Sequence, residues 1–125
     1  RHGAEVLACP AGIELVGNRA LLERAFDNLA ENARRAGGRR LRLAVQEAGD
    51  DVLFHVEDDG AGVAPEDVRH VFRAGWSKRG GAGLGLHAVA ATVRAHGGEV
   101  RCVPLPRGTR FSISLPKAVA RTAPA

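Results

Sequence analysis

Apolar residues recur along this chain in two periods, and the switch between them marks out its elements. Leu22, Ala25, Phe26, Leu29, Ala33 and Ala36 are spaced three or four apart. At about 100° per residue they fall in one stripe, with Glu23, Arg24, Asp27, Glu31 and Arg34 opposite. The spacing predicts a helix from about Arg19 to Ala36, with Asn18 as N-cap and Gly37-Gly38 as its stop. Leu86, Val89, Ala90 and Val93 repeat the helical period and predict another helix, ended by Gly97-Gly98. Elsewhere the period is two. Leu41, Leu43 and Val45, then Val52, Phe54 and Val56, alternate with polar residues around a turn at Gly49-Asp50. Val100 with Cys102, then Phe111, Ile113 and Leu115, do the same around Arg107-Gly108. Short strands are predicted at Glu5 to Ala8 and Ile13 to Val16, flanking Pro10 and Gly12. Pro65, followed by Glu66 and Asp67, opens a short helix. Residues 75–83 read as a glycine-rich loop.

Strands, helix, strands, helix, helix, strands is the order of an α/β two-layer sandwich. It implies a mixed, mostly antiparallel sheet covered on one face by about three helices. One domain is expected over residues 1–117, with the Ala-rich residues 118–125 as a flexible tail.

The composition fits one ordinary globular domain: 125 residues, 45% hydrophobic and 26% charged. Aromatics are only 4%, so the core must rest on Leu, Val, Ile and Ala. The net charge of +4 is compatible with a phosphate-bearing partner and equally with a solvated basic surface. With so few rings to interleave with bases, nucleic acid is not an expected partner. Cys9 and Cys102 are far apart and each is expected in a strand as a buried thiol, in a reducing, cytoplasmic setting. No apolar run approaches the roughly 18 residues of a membrane span, and no signal peptide is expected. The chain begins with Arg1 rather than Met and is expected to be cut from something longer, whose parent can be membrane-anchored.

Three clusters carry chemistry. Asn28 and Asn32, four apart, lie on one edge of the first helix's apolar stripe. A carboxamide oxygen is a hard, neutral ligand suited to Mg2+ beside phosphate oxygens; the same pair also reads as ordinary helix-surface asparagines. Glu57-Asp58-Asp59-Gly60-Ala61-Gly62-Val63 follows a strand, where an acid before a Gly-x-Gly turn can present a carboxylate to a pocket. A plain strand-to-helix turn has the same composition. Gly80-Gly81-Ala82-Gly83-Leu84-Gly85-Leu86 opens a helix, and backbone N–H groups bared there by glycine form an anion site. It is neither a Walker A loop nor a dinucleotide fingerprint. Lys78 and Arg79 precede it, and Arg35 sits three residues after Asn32; each can reach a phosphate or stay solvated.

In this order the motifs resemble the histidine-kinase branch of the GHKL ATPase superfamily. Leu22 to Ala33 resembles the N box, Asp58 to Gly62 the G1 box, Phe72 with Gly75-Trp76-Ser77-Lys78 the F box, and Gly81 to Leu86 the G2 box. Gly108 to Pro116 resembles the last segment. The resemblance implies the Bergerat fold, ATP and Mg2+ as cofactors, and transfer of the γ-phosphoryl group to a histidine. It implies Asn32 as the Mg2+ ligand, Asn28 near the phosphates, and Asp58 on the adenine amino group. Gly60, Gly62, Val63 and Thr109 would shape the adenine pocket. Gly81, Gly83, Leu84, Gly85 and Leu86 would hold the phosphates at the helix start, with Lys78 and Arg35 assisting, and Phe72 belongs to the same site. No certain catalytic residue is assigned within the chain.

Hydrolysing relatives such as gyrase B and the Hsp90 chaperones place a glutamate where Asn28 stands. Asn28 cannot act as a general base, which favours transfer over hydrolysis. Glu31 lies about 300° around the helix from it, on the polar face. The family often has an aromatic residue or histidine where Ala36 stands, and the lid between the F and G2 boxes is short, as in nitrogen-regulation-type kinases. No His-Glu or His-Asp pair lies on a long amphipathic helix, so the expected partner is a separate histidine-containing dimerisation domain of the same kinase, with a response regulator reached through it. The fragment itself is expected to be monomeric. Two alternatives share the boxes: a catalytically inactive nucleotide-binding interaction module and an anti-sigma-type serine kinase.

Overall fold

The computed structural model describes residues 3–77 and 85–118. Strands β1 (Ala4–Ala8) and β2 (Glu14–Asn18) form an antiparallel hairpin around a 3-10 turn at Pro10–Gly12. Helix α1 (Arg19–Arg35) follows directly. Then come β3 (Leu41–Ala48), β4 (Asp51–Asp58), a 3-10 helix at Pro65–His70, α2 (Gly85–Ala95), β5 (Glu99–Pro104) and β6 (Thr109–Pro116). The main sheet runs β3-β4-β6-β5, and every strand pairing among the described residues is antiparallel. The two-layer α/β architecture is therefore as expected, with the strands divided between a hairpin and a four-stranded sheet.

α1 begins at Arg19 as predicted and ends at Arg35, one residue before the expected Ala36, and both helices stop at the predicted glycine pairs. Asn18 Oδ1 accepts the Leu21 N–H at 3.0 Å, capping α1. At the other end Gly37 (φ 83°) lets its N–H reach Arg34 O at 3.0 Å while Gly38 N–H reaches Ala33 O at 2.9 Å. This paired bonding satisfies carbonyls the helix would otherwise orphan. Gly97 and Gly98 end α2 in the same way. The two helices pack on each other and are also bridged by a side chain. The Asn18 N–H donates to His96 Nε2 at 3.0 Å, and His96 Nδ1 lies 2.7 Å from Thr92 O, which fixes the proton on Nδ1.

Period two in β4 and β6 sorts side chains between the sheet's faces. Val52, Phe54 and Val56 stand opposite Leu115, Ile113 and Phe111 and face the helices, where they meet Leu22, Leu29, Val89 and Val93. Burial of each such side chain contributes about 1.5–3 kcal/mol. The outer face carries polar cross-strand pairs. His55 Nδ1 lies 2.9 Å from Ser112 Oγ, and Arg110 Nε donates to Glu57 Oε2 at 2.7 Å. Edge strand β3 keeps the predicted alternation, yet Leu41 and Leu43 remain 50% and 62% exposed. β4 is its one sheet neighbour, and the helices sit over the central strands.

Cys102 lies buried in β5 as expected, whereas Cys9 falls just past β1 and is only half-buried. Beyond β6, Lys117 and Ala118 are still tied down, their amides donating to Asp50 O at 2.8 Å and Glu14 O at 2.7 Å. Among the described residues no helix is long and apolar enough to cross a membrane.

Candidate nucleotide-binding site

The site lies where the end of α1, the end of β4 and the start of α2 meet. On α1, Asn28 and Asn32 share the edge that faces α2. Asn28 Nδ2 donates to Gly85 O at 3.4 Å, so the N-box helix touches the first residue of the glycine-opened helix. Asn32, one turn further on, is half-buried and lines a cleft. Arg35, expected beside the phosphates, is exposed in this structure. Its Nε is drawn 3.3 Å from Glu31 Oε2 on the exposed side of α1, alongside Arg34. Arg34 first, then Arg35, hold the Glu31 carboxyl below the usual carboxylate range.

At the end of β4, Asp58 is buried, 7% exposed, beside the buried Thr109 that stands opposite it in β6. Asp58 Oδ1 accepts the Gly60 N–H at 2.8 Å, which curls the loop back over its own carboxylate. Gly60 is pressed so close to α1 that a Cβ would lie 2.8 Å from Ala36 O. That carbonyl in turn accepts the Ala61 N–H at 2.9 Å. Asp59 completes the joint: its Oδ1 accepts the Arg39 and Arg40 N–H groups at 2.7 and 3.0 Å. These bonds, the Arg40 one foremost, hold the Asp59 carboxyl below its usual range. On the other side of the loop Gly62 (φ 84°) abuts Gly108 O. Below, burial and then the Asp58 charge push the Cys102 thiol up to about 11.

The cleft so framed holds about 240 Å3 and is lined by Asn32, Ala36, Ala61, Gly62, Val63, Ala64, Asp67, Trp76, Leu86 and Thr109. Five of these, Asn32, Gly62, Val63, Leu86 and Thr109, are expected from sequence. Asn28, Asp58, Gly60 and Gly85 adjoin it through the contacts above. Phe72 is instead half-buried in the core, its ring 6.0 Å from Phe111 in a T-shaped pair, so it supports the site from behind. Lys78, Gly81, Gly83 and Leu84 lie outside the described residues. His87, on the surface of α2, has Nδ1 3.2 Å from Phe72 O. Sequence reasoning gave no role in the pocket to Ala61, Ala64, Asp67 or Trp76. The small residues carry no chemical signature, but a lone Trp in an aromatic-poor chain is a signal in itself.

An asparagine pair on one helix edge, a buried strand-end aspartate and a helix opened by glycine, all converging on one cleft of a two-layer α/β fold, define a GHKL-type nucleotide-binding domain. The family model for histidine kinase-, DNA gyrase B-, and HSP90-like ATPases matches residues 17–119, and the chain belongs to that family. It is 37% identical over 105 residues to the alginate biosynthesis sensor protein KinB of Pseudomonas aeruginosa, covering 79% of this chain and 18% of that protein. It is 34% identical over 115 residues to the sensor histidine kinase CpxA of Escherichia coli K12, covering 86% of this chain and 25% of that one. The chain thus spans a quarter or less of these two relatives. Among solved structures it is similar to the mycobacterial sensor histidine kinase MprB, with a TM-score of 0.76 at 30% identity, over 84% of this chain and 76% of that one. It is equally similar to full-length ShkA in complex with AMPPNP, with a TM-score of 0.76 at 31% identity, over 88% of this chain and 24% of that one.

Proposed function

We propose that this chain is the ATP-binding catalytic domain of a sensor histidine kinase. It binds Mg-ATP and donates the γ-phosphoryl group to a histidine on a dimerisation domain elsewhere in the same kinase, on the cytoplasmic side, with a response regulator downstream. The observation that carries the reading is the position of Asn28. It stands on the cleft-side edge of α1, touching Gly85 O, where hydrolysis would need a carboxylate to activate water. Glu31, three residues on, is occupied on the exposed side with Arg34 and Arg35. The bond from the β–γ bridging oxygen to γ-phosphorus is then broken by an imidazole nitrogen, and ADP leaves. The protein's part in such a reaction is positioning and charge stabilisation.

The cleft suits a metal–nucleotide complex better than a bare metal ion. Among the described residues no group of three His, Cys, Asp or Glu side chains could hold a cation. Mg2+ takes few protein ligands when phosphates supply the rest, and Asn32 offers one neutral oxygen at the cleft wall. Asp58 would read the base: Oδ1 is engaged by Gly60, and Oδ2 remains to accept the adenine amino group. Guanine presents a carbonyl oxygen there, and an unsatisfied buried polar group costs about 1–3 kcal/mol.

Calorimetric titration with Mg-ATP and Mg-GTP tests the first half. Mg-GTP should bind roughly five- to 150-fold more weakly, and Asp58→Asn should narrow the gap. Phosphotransfer in trans to a supplied acceptor domain tests the second half. ATP binding with no transfer would favour the interaction-module alternative.

A further inference from the structure

We propose that Trp76 is the base platform of this site, its indole face stacking on the adenine ring. The inference rests on nucleotide binding in the cleft described above and adds a contact that none of the expected site residues provides. Asp58 and Thr109 can read the edge of a base, but the walls at Ala36, Ala61 and Ala64 offer only methyl groups. A flat heteroaromatic ring gains most from a flat partner, and base–aromatic stacking is indifferent to which base is bound. In this division of labour the ring supplies affinity and Asp58 supplies choice.

The disposition of the other rings points to the same residue. Phe26 pairs edge-on with Phe54 at 5.5 Å, and Phe72 with Phe111 at 6.0 Å, all four against the core. Trp76 is the one aromatic residue among the cleft's described lining. It is half-buried, with its inner side packed on the core. Its N–H donates to Arg73 O at 3.1 Å, and the preceding Gly75 takes a φ of 86°. The ring is thus carried on a closed turn, anchored behind and open towards the cleft.

Because Trp76 is the chain's one tryptophan, its emission reports on this position alone. The experiment titrates the chain with adenosine, Mg-ATP and Mg-tripolyphosphate, following fluorescence and calorimetry in parallel. Adenosine and Mg-ATP should quench or shift the emission; Mg-tripolyphosphate should not. Trp76→Phe should keep Mg-ATP affinity within about threefold, while Trp76→Ala should weaken adenosine and Mg-ATP roughly five- to 150-fold and leave tripolyphosphate unchanged. Wild-type chain that binds Mg-ATP calorimetrically, with Trp76→Ala binding it equally well, overturns the platform and spares the nucleotide site. Equal loss of tripolyphosphate also overturns it, because the ring would then be holding the fold. No calorimetric binding of Mg-ATP to the wild-type chain defeats both readings. Should Trp76→Ala fail to fold, adenosine quenching in the unsubstituted chain decides, and its absence overturns the proposal.

Discussion

Asp59 Oδ1 accepts the backbone N–H of Arg39 at 2.7 Å, across 20 residues of chain. With the Arg40 amide it holds the connection after α1 against the loop after β4. Two amides donating to one carboxylate oxygen favour its charged form, so its folded pKa lies below the unfolded value of about 3.9. The sign follows: the bonds add stability above the unfolded value, and this contribution is lost as pH falls through the folded one. Urea melts between pH 7 and pH 3 should show a steeper acid limb for the wild type than for Asp59→Asn, which keeps an acceptor oxygen but does not titrate. Superimposable limbs would remove Asp59 from this role. Asp59→Ala should be less stable than Asp59→Asn at pH 7.

Among the described glycines, Gly108 is the one least able to accept a side chain. Its φ of 92° is open to glycine, and a Cβ there would overlap the Asp58 carbonyl. Gly108→Ala should destabilise the domain by at least about 2 kcal/mol from backbone strain and forced movement together. Nucleotide affinity should fall with it, since the carbonyl that must move belongs to Asp58. Gly49→Ala is the control. Gly49 also has a positive φ, 62°, but a Cβ there meets nothing within 4 Å, so stability should fall less and binding should hold.

The two thiols should differ in reactivity. Thiolate is the nucleophile, and burial, with the Asp58 charge behind it, pushes Cys102 up to about 11. Half-buried Cys9 is also raised, by burial alone. Iodoacetamide at pH 8 should modify Cys9 first and leave Cys102 intact until the chain unfolds, as read by peptide mass mapping. Early modification of Cys102 would mean that β5 opens readily from the sheet.

Much of this fold is legible in the chain. Helix α1 declares itself through six apolar positions at helical spacing, an asparagine cap and a paired-glycine stop. β4 and β6 declare themselves by strict alternation. The site is legible where function demands a particular side chain: Asn32 and Thr109 line the cleft, and Asp58 stands buried beside it. It is illegible where function rests on backbone. The bond from Ala61 to Ala36 leaves no mark on either residue's identity, since any residue but proline can donate it. The fate of Arg35 was hidden for another reason. Glu31 lies one turn away on the same helix and competes for the guanidinium locally, which helix spacing alone cannot weigh against a ligand. The exposure of Leu41 and Leu43 depends on how far the helices extend over an edge strand, which no local pattern encodes.

Thr109, a wall of the cleft, is the first residue of β6, and its register partner is Asp58. The pocket is therefore closed by the last strand in chain order among the described residues. With α1, β3 and β4 alone, the cleft still lacks its Thr109 wall. The cleft is thus complete only when β6 docks between β4 and β5.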